Sequence, residues 1–229
     1  MNVSVYIDVD YNEINHLYDI VIAYDKGTIK PNELVINISG VVDENDVNTL
    51  YEIQNLKIPY VKIYLSKTLI PKFKNRNYVR TLTTGDIIVF NKFNVIPHKD
   101  RINFIKKYFK NNNVYVLHHT FAYNIIDSNV QEYTITSDDL YKRYFPFNNK
   151  LGCWQYTRTY GVEFGVDNID MESVVIRKHV LNDIIWKDKY QLELYKGNDN
   201  GMYYEFALDN LYTYKKSVIL NYPLTFVNK

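Results

Sequence analysis

The chain has 229 residues, of which 46% are hydrophobic, 16% aromatic and 23% charged, so it can bury a core as one large β-rich domain or as two small ones. Lys+Arg 27 against Asp+Glu 26 gives a formal charge of +1, which excludes a strong long-range field toward nucleic acid or an anionic membrane. No apolar stretch reaches the ~18 residues of a membrane span, and the start MNVSVYIDVDY lacks the basic segment and apolar run of a secretory signal.

Val3, Val5, Ile7 and Val9 alternate with other side chains and predict a strand, with Asp8 and Asp10 on its opposite face. Asp8-Val9-Asp10 spells DxD, the pattern by which many sugar-nucleotide enzymes hold a divalent metal. A three-letter match arises easily by chance, so these carboxylates read first as the solvent-facing side of an edge strand. Asp19 to Ala23 reads as a second strand, ended by the turn Asp25-Lys26-Gly27. Glu33 to Gly40 is a third; a helical stretch from Asp43 to about Leu56 and a strand from Tyr60 to Leu65 follow. Strand, glycine, acidic helix start and strand imitate a nucleotide-binding βαβ unit, but a dinucleotide fingerprint needs several glycines and only Gly40 is present.

Pro71 to Arg80, PKFKNRNYVR, is the one basic cluster with interleaved aromatics and reads as a solvated loop, with phosphate contact as the alternative. Asp86 to Phe90 is strongly apolar. Pro97 to Tyr108 carries the clearest helical period, in Ile102, Ile105 and Tyr108 or Phe109, and Asn111 to Asn113 stops it. Val114 to Tyr123 predicts a strand in which the adjacent His118 and His119 face opposite sides, so they cannot share one metal. A trio of His118 or His119, Cys153 and Asp127 lacks any nucleophile motif. Residues 125–149 read as a long excursion from the sheet, Tyr156 to Phe164 as a strand, and Met171 to Arg177 as an apolar run. The stretch from Val180 places Trp186 in the core, turns at Gly197 to Gly201, and is broken at Pro223. No metal set, cofactor motif or internal repeat emerges, and one domain covers residues 1–229.

Tyrosine is the unusual residue, 23 in all. It offers wide amphipathic contact area, and its ordinary pKa near ~10 makes it a charge that appears only in alkali. Cys153, the single cysteine, is either a buried thiol or the source of a bond between chains.

From Thr49 onward the order of segments resembles the baculovirus polyhedrin and granulin family. The similarity is carried by TLYEIQNLKIPYVKIYLSKTLIPKF (Thr49 to Phe73), FNVIPHKDRI (Phe93 to Ile102), NNVYVLHHTFAYN (Asn112 to Asn124), LGCW (Leu151 to Trp154), DIIW with KDKY (Asp183 to Tyr190) and YPLTF (Tyr222 to Phe226). Residues 1–48 do not show the family's start and would be divergent strands or an arm, and its lysine-arginine run has no counterpart. The resemblance implies a mainly β fold, an antiparallel jelly-roll-like β-sandwich with a few short helices and extended arms. It implies a structural matrix protein rather than an enzyme, forming trimers and a crystalline lattice around virions in occlusion bodies of the infected cell, in its nucleus. No cofactor, metal, specific nucleic acid or membrane span is expected.

On that reading Cys153 forms an interchain disulfide, and Tyr141, Tyr144, Tyr156, Tyr160, Tyr203, Tyr204, Tyr212 and Tyr214 line contacts that fail when alkaline gut fluid ionises them. The alternative function is a small α/β glycosyltransferase or nucleotide-binding enzyme using Asp8 and Asp10, and a binding module resting on Pro71 to Arg80 is the third. Parallel N-terminal strands with helices on both faces would favour the enzyme; an antiparallel sandwich would favour the matrix protein.

Overall fold

The computed structural model describes residues 1–41, 44–111, 114–123, 153–155, 174–181 and 217–227. The chain begins with β1 (Val3–Asp10), a 3-10 turn (Tyr11–His16), α1 (Leu17–Asp25), β2 (Glu33–Ser39), α2 (Glu44–Asn55) and β3 (Val61–Ser66). Two short helices, α3 (Lys72–Asn77) and α4 (Val79–Leu82), lead into β4 (Ile87–Phe90), β5 (Val95–Pro97) and α5 (Arg101–Asn111). The remaining elements are β6 (Val116–Tyr123), β7 (Cys153–Gln155), β8 (Val174–Arg177), α6 (Lys178–Leu181) and β9 (Ser217–Val227).

All nine strands join one sheet in the order β3-β2-β1-β4-β8-β6-β9-β5, with β7 also paired to β9. β1 runs parallel to both β2 and β4, and β2 parallel to β3. Antiparallel pairing begins only beyond β4, at β8. Parallel neighbours need a crossover between them, and α1 and α2 supply it. This overturns the expected antiparallel β-sandwich: the protein has a mixed α/β, Rossmann-like sheet with helices against it.

Both faces of the sheet are covered. On one, Val3, Val5, Ile7 and Val9 of β1 and Leu34, Ile36 and Ile38 of β2 pack with Leu17, Ile20, Val21 and Tyr24 of α1, Ile53 of α2, and Ile102, Ile105 and Phe109 of α5. On the other lie Tyr6, Val35, Asn37, Ile88 and Phe90, with α3 bonded to Tyr6 and Asn37; Tyr6 and Phe90 meet edge to face at 6.0 Å. β2 is buried along its whole length, as a strand covered on both faces must be.

Several local expectations change for identifiable reasons. Asp19 to Ala23 lies inside helix α1, because its apolar residues repeat as Leu17, Ile20, Val21 and Tyr24, the helical period rather than the strand period. β1 is an inner strand between β2 and β4, not an edge. Pro71 to Arg80 is largely helical, and Asn75 and Arg76 within it are buried rather than solvated. The clearest predicted helix starts at Arg101, since Pro97 closes β5. Pro223 does not end the last strand; it sits in β9 opposite Thr120, where the β6–β9 register shifts.

At the amino ends of the strands, Glu33 ties four elements together. Its carboxylate accepts from the Ser4 hydroxyl at 2.5 Å, from the Lys62 ammonium at 2.7 Å and from the Thr84 N–H. Burial alone would push this carboxyl up, but the Lys62, Ser4 and Thr84 donors outweigh it and hold the group at about 2, below its ordinary 4.5. A depressed carboxyl pKa stabilises the fold above its unfolded value and loses that contribution as pH falls from 4.5 toward 2. Urea denaturation between pH 7 and pH 3 should therefore show stability falling steeply below pH 4.5 in the native chain. Glu33→Gln should be less stable by about 3 kcal/mol at neutral pH and lack that part of the slope; an unchanged slope in the variant would refute the assignment.

A second buried anchor fixes the exit of β4. Arg101, fully buried, donates to the Tyr24 hydroxyl at 2.8 Å, the Asn91 side-chain oxygen at 2.5 Å and the Phe90 carbonyl at 2.9 Å. Asn91 in turn donates to the Lys92 and Val95 carbonyls, both at 2.8 Å. Arg101→Met nearly keeps the volume but leaves the Phe90 carbonyl without this donor, while the Asn91 oxygen keeps only the Tyr24 hydroxyl, and it should lower stability by about 1–3 kcal/mol in the same denaturation measurement.

Candidate functional site

In open sheets of this kind, ligands bind outside the carboxyl ends of the strands where the strand order reverses. The chain lays β2 and then β3 to one side of β1 and returns to lay β4 on the other, so the reversal lies between β1 and β4. β4 stops with Phe90 level with Tyr6, whereas β1 continues to Asp10. The exits of β1, β2 and β4 therefore define the candidate site.

Beneath it lies a buried polar network. Residues two apart on a strand share a face, so Tyr6, Asp8 and Asp10 all point the same way. The Tyr6 hydroxyl donates to the Asn75 carbonyl at 2.7 Å and accepts from the Asn37 amide at 2.9 Å; that amide also donates to the Asn75 side-chain oxygen at 2.5 Å. Burial, with the Asp8 carboxylate second, pushes the Tyr6 phenol far above its ordinary range, so it stays a donor. One step along the strand, Asp8 and Arg76 form an ion pair at 3.1 Å, with side chains 10% and 4% exposed. Both rows fasten α3 to β1 and β2.

Above the network Asp10 and Tyr11 become accessible, while Ser39 stays buried. Asp10, half-buried, accepts from the Ser39 hydroxyl of β2 at 3.0 Å, while its own N–H donates to Glu13 at 3.2 Å in a capping arrangement at the start of the 3-10 turn. Tyr11 is 41% exposed, and its ring lies against Gly40. Gly40 has φ +107°, and a Cβ there would stand 2.5 Å from the Tyr11 ring, so only glycine admits this stacking of ring on backbone. On the far side, the clamped β4 exit turn carries Lys92. The arrangement offers a flat aromatic surface, a carboxylate held by a buried hydroxyl, and a lysine at the neighbouring strand end. Those groups suit a base, a sugar diol and an anionic group respectively.

Among the residues singled out from sequence, Asp8 and Asp10 lie at this site, on an inner strand. Cys153 opens β7, which pairs with β9 on the other side of the sheet. His118 and His119 lie in β6, and His119 is buried. Tyr141, Tyr144, Tyr156, Tyr160, Tyr203, Tyr204, Tyr212, Tyr214 and Trp186 lie outside the described residues. Among the described residues no group of three His, Cys, Asp or Glu side chains is placed to hold a metal ion, and no helix is long and apolar enough to cross a membrane. Tyr11, Ser39, Arg76 and Lys92 were not anticipated. The available signal was the glycine after an apolar strand.

No family model matches the chain, and no curated protein matches it. Solved structures do. S. aureus TarS 1-349 in complex with UDP-GlcNAc superposes with a TM-score of 0.69 at 14% identity, over 100% of this chain and 59% of that one. The UDP complex of the same protein gives 0.65 at 12% identity, over 100% and 61%. Glucosyl-3-phosphoglycerate synthase from Mycobacterium tuberculosis, in complex with Mn2+, UDP and glucosyl-3-phosphoglycerate, gives 0.58 at 10% identity, over 99% and 70%. The chain thus spans about three fifths of the length of the TarS 1-349 structures. At these identities the likeness establishes the fold. It overturns the polyhedrin and granulin resemblance, and with it the occlusion-body matrix reading and the expectation that the chain is not an enzyme; the fold is shared instead with nucleotide-sugar enzymes.

Proposed function

We propose that this chain is a nucleotide-sugar-dependent glycosyltransferase, the function first considered as the alternative on Asp8 and Asp10. The observation that carries the proposal is the cluster of Tyr11, Asp10 and Ser39 at the switch point of a parallel sheet. The fold supports it, being shared along the whole chain with proteins solved with UDP-GlcNAc and with UDP.

In this reading the Tyr11 ring, backed by Gly40, stacks on the base. Asp10 accepts hydrogen bonds from the base or the ribose, with Ser39 holding its carboxylate in place. The diphosphate then runs toward the β4 exit and Lys92. Asp8 works indirectly: it pins Arg76 and so the helix that closes one wall. Transfer would break the bond between the anomeric carbon and the diphosphate oxygen, the nucleoside diphosphate leaving with that electron pair, and would form a bond from the anomeric carbon to an acceptor hydroxyl oxygen, whose proton passes to solvent. A fixed positive charge near the diphosphate stabilises the charge that develops there.

Isothermal titration of the full chain with UDP, ADP, GDP and CDP tests the reading. One of the four should bind saturably, and Tyr11→Ala should weaken it by roughly tenfold, the loss of one base stacked on an aromatic ring. Tyr11 is exposed, so the variant should keep the native melting temperature. Failure of all four nucleotides to bind would sink the proposal.

A further inference from the structure

The fold's solved relatives include a complex holding Mn2+ beside UDP, and Asp8-Val9-Asp10 has the lettering of a metal-binding pair. The donor chemistry at these positions does not fit a divalent cation. One Asp8 oxygen already faces the Arg76 guanidinium at 3.1 Å, and both side chains are nearly buried. A metal bound to that same oxygen at an ordinary ligand distance of about 2.1 Å would stand no more than about 5 Å from the guanidinium nitrogen. Displacing the pair instead would strip a buried guanidinium of its carboxylate, which is strongly unfavourable. One Asp10 oxygen accepts the Ser39 hydroxyl, and the nearby Glu13 is used to cap the Asp10 N–H.

The opposite wall is no better supplied. From Asn91 to Lys99 the sequence reads NKFNVIPHK, without a carboxylate, and the first charged group after β4 is Lys92. Asn91 is committed to Arg101, Tyr24 and the turn carbonyls. A cation arriving at the switch point would meet the lysine of the β4 exit turn on one side and, at Asp8, a carboxylate already paired with a guanidinium on the other.

We infer that this site binds its nucleoside diphosphate without a divalent cation at Asp8 and Asp10, with the Lys92 ammonium supplying the positive charge at the β4 exit and Asp8 serving as the counter-ion of Arg76. The inference rests on the nucleotide-sugar reading above. Neutralising phosphate with a side-chain cation needs no metal, because an ammonium is a compact point charge with three donors.

Titration of the full chain with the nucleotide that binds best, in EDTA and again in MnCl2, separates the alternatives. The dissociation constants in the two buffers should agree within about threefold, and Lys92→Met should weaken binding in EDTA by roughly tenfold, the loss of one charged hydrogen bond. Electron paramagnetic resonance of Mn2+ titrated with the chain alone should show no site that Asp10→Asn removes. Binding that requires Mn2+ and is lost in Asp10→Asn would overturn the inference and leave the nucleotide reading standing. Metal-independent binding that Lys92→Met leaves unchanged would overturn the role given to Lys92. Absence of nucleotide binding in both buffers would remove the reading beneath it and the inference together.

Discussion

The carboxyl ends of the sheet take their shape from the way α3 is fastened to β1 and β2. The fastening is polar and buried: Tyr6, Asn37 and Asn75 exchange hydrogen bonds, and Asp8 meets Arg76 one step further along. In a low-dielectric interior such a network is unforgiving, since each group that loses its partner keeps the full cost of having left water. Apolar packing alone would let a six-residue helix slide or rotate on the sheet. These directed contacts fix both its height and its rotation on the sheet.

The same logic recurs at two other points. Glu33 joins β1, β2, β3 and the approach to β4 at their amino ends, while Arg101 and Asn91 lock the turn that leaves β4. The aliphatic face supplies bulk stability, and three polar clusters set register and orientation at the places where the chain changes direction. The accessible groups, Tyr11, Asp10 and Lys92, sit on top of this frame rather than inside it, with the buried Ser39 hydroxyl beneath Asp10. A ligand can therefore be accommodated there without dismantling the core.

Much of the α/β plan could be read from the sequence, although the overall class could not. The alternation of Val3 to Val9, the buried run at Glu33 to Gly40, the helix before Leu56 and the strand after Tyr60 all appear where the pattern put them. What failed was arbitration between faces. Asp8 looks solvent-facing because strand alternation records polarity and is blind to a basic partner 68 positions away on a helix above it. Asp19 to Ala23 looks like a strand when read alone; widening the window to Leu17 and Tyr24 reveals the helical spacing. Arg76 was legible only as part of a basic segment, because charge on a short helix gives no sign that it will be buried against a carboxylate. The polyhedrin likeness drew on the order of weakly apolar segments, a property that many β-containing chains share.

Pro223 shows how a residue normally taken as a terminator can serve as a junction. Before the register shift, β9 pairs on its outer side with β7 through residues Val218 to Leu220; after it, residues Thr225 to Val227 pair with β5. Over the same span β6 stays continuous, and β9 takes up the extra residues. A proline offers no N–H to either neighbour, so at this position the strand is released from one partner before it is claimed by the next. One strand thus does the work of two short ones, and the sheet changes its neighbours without a loop.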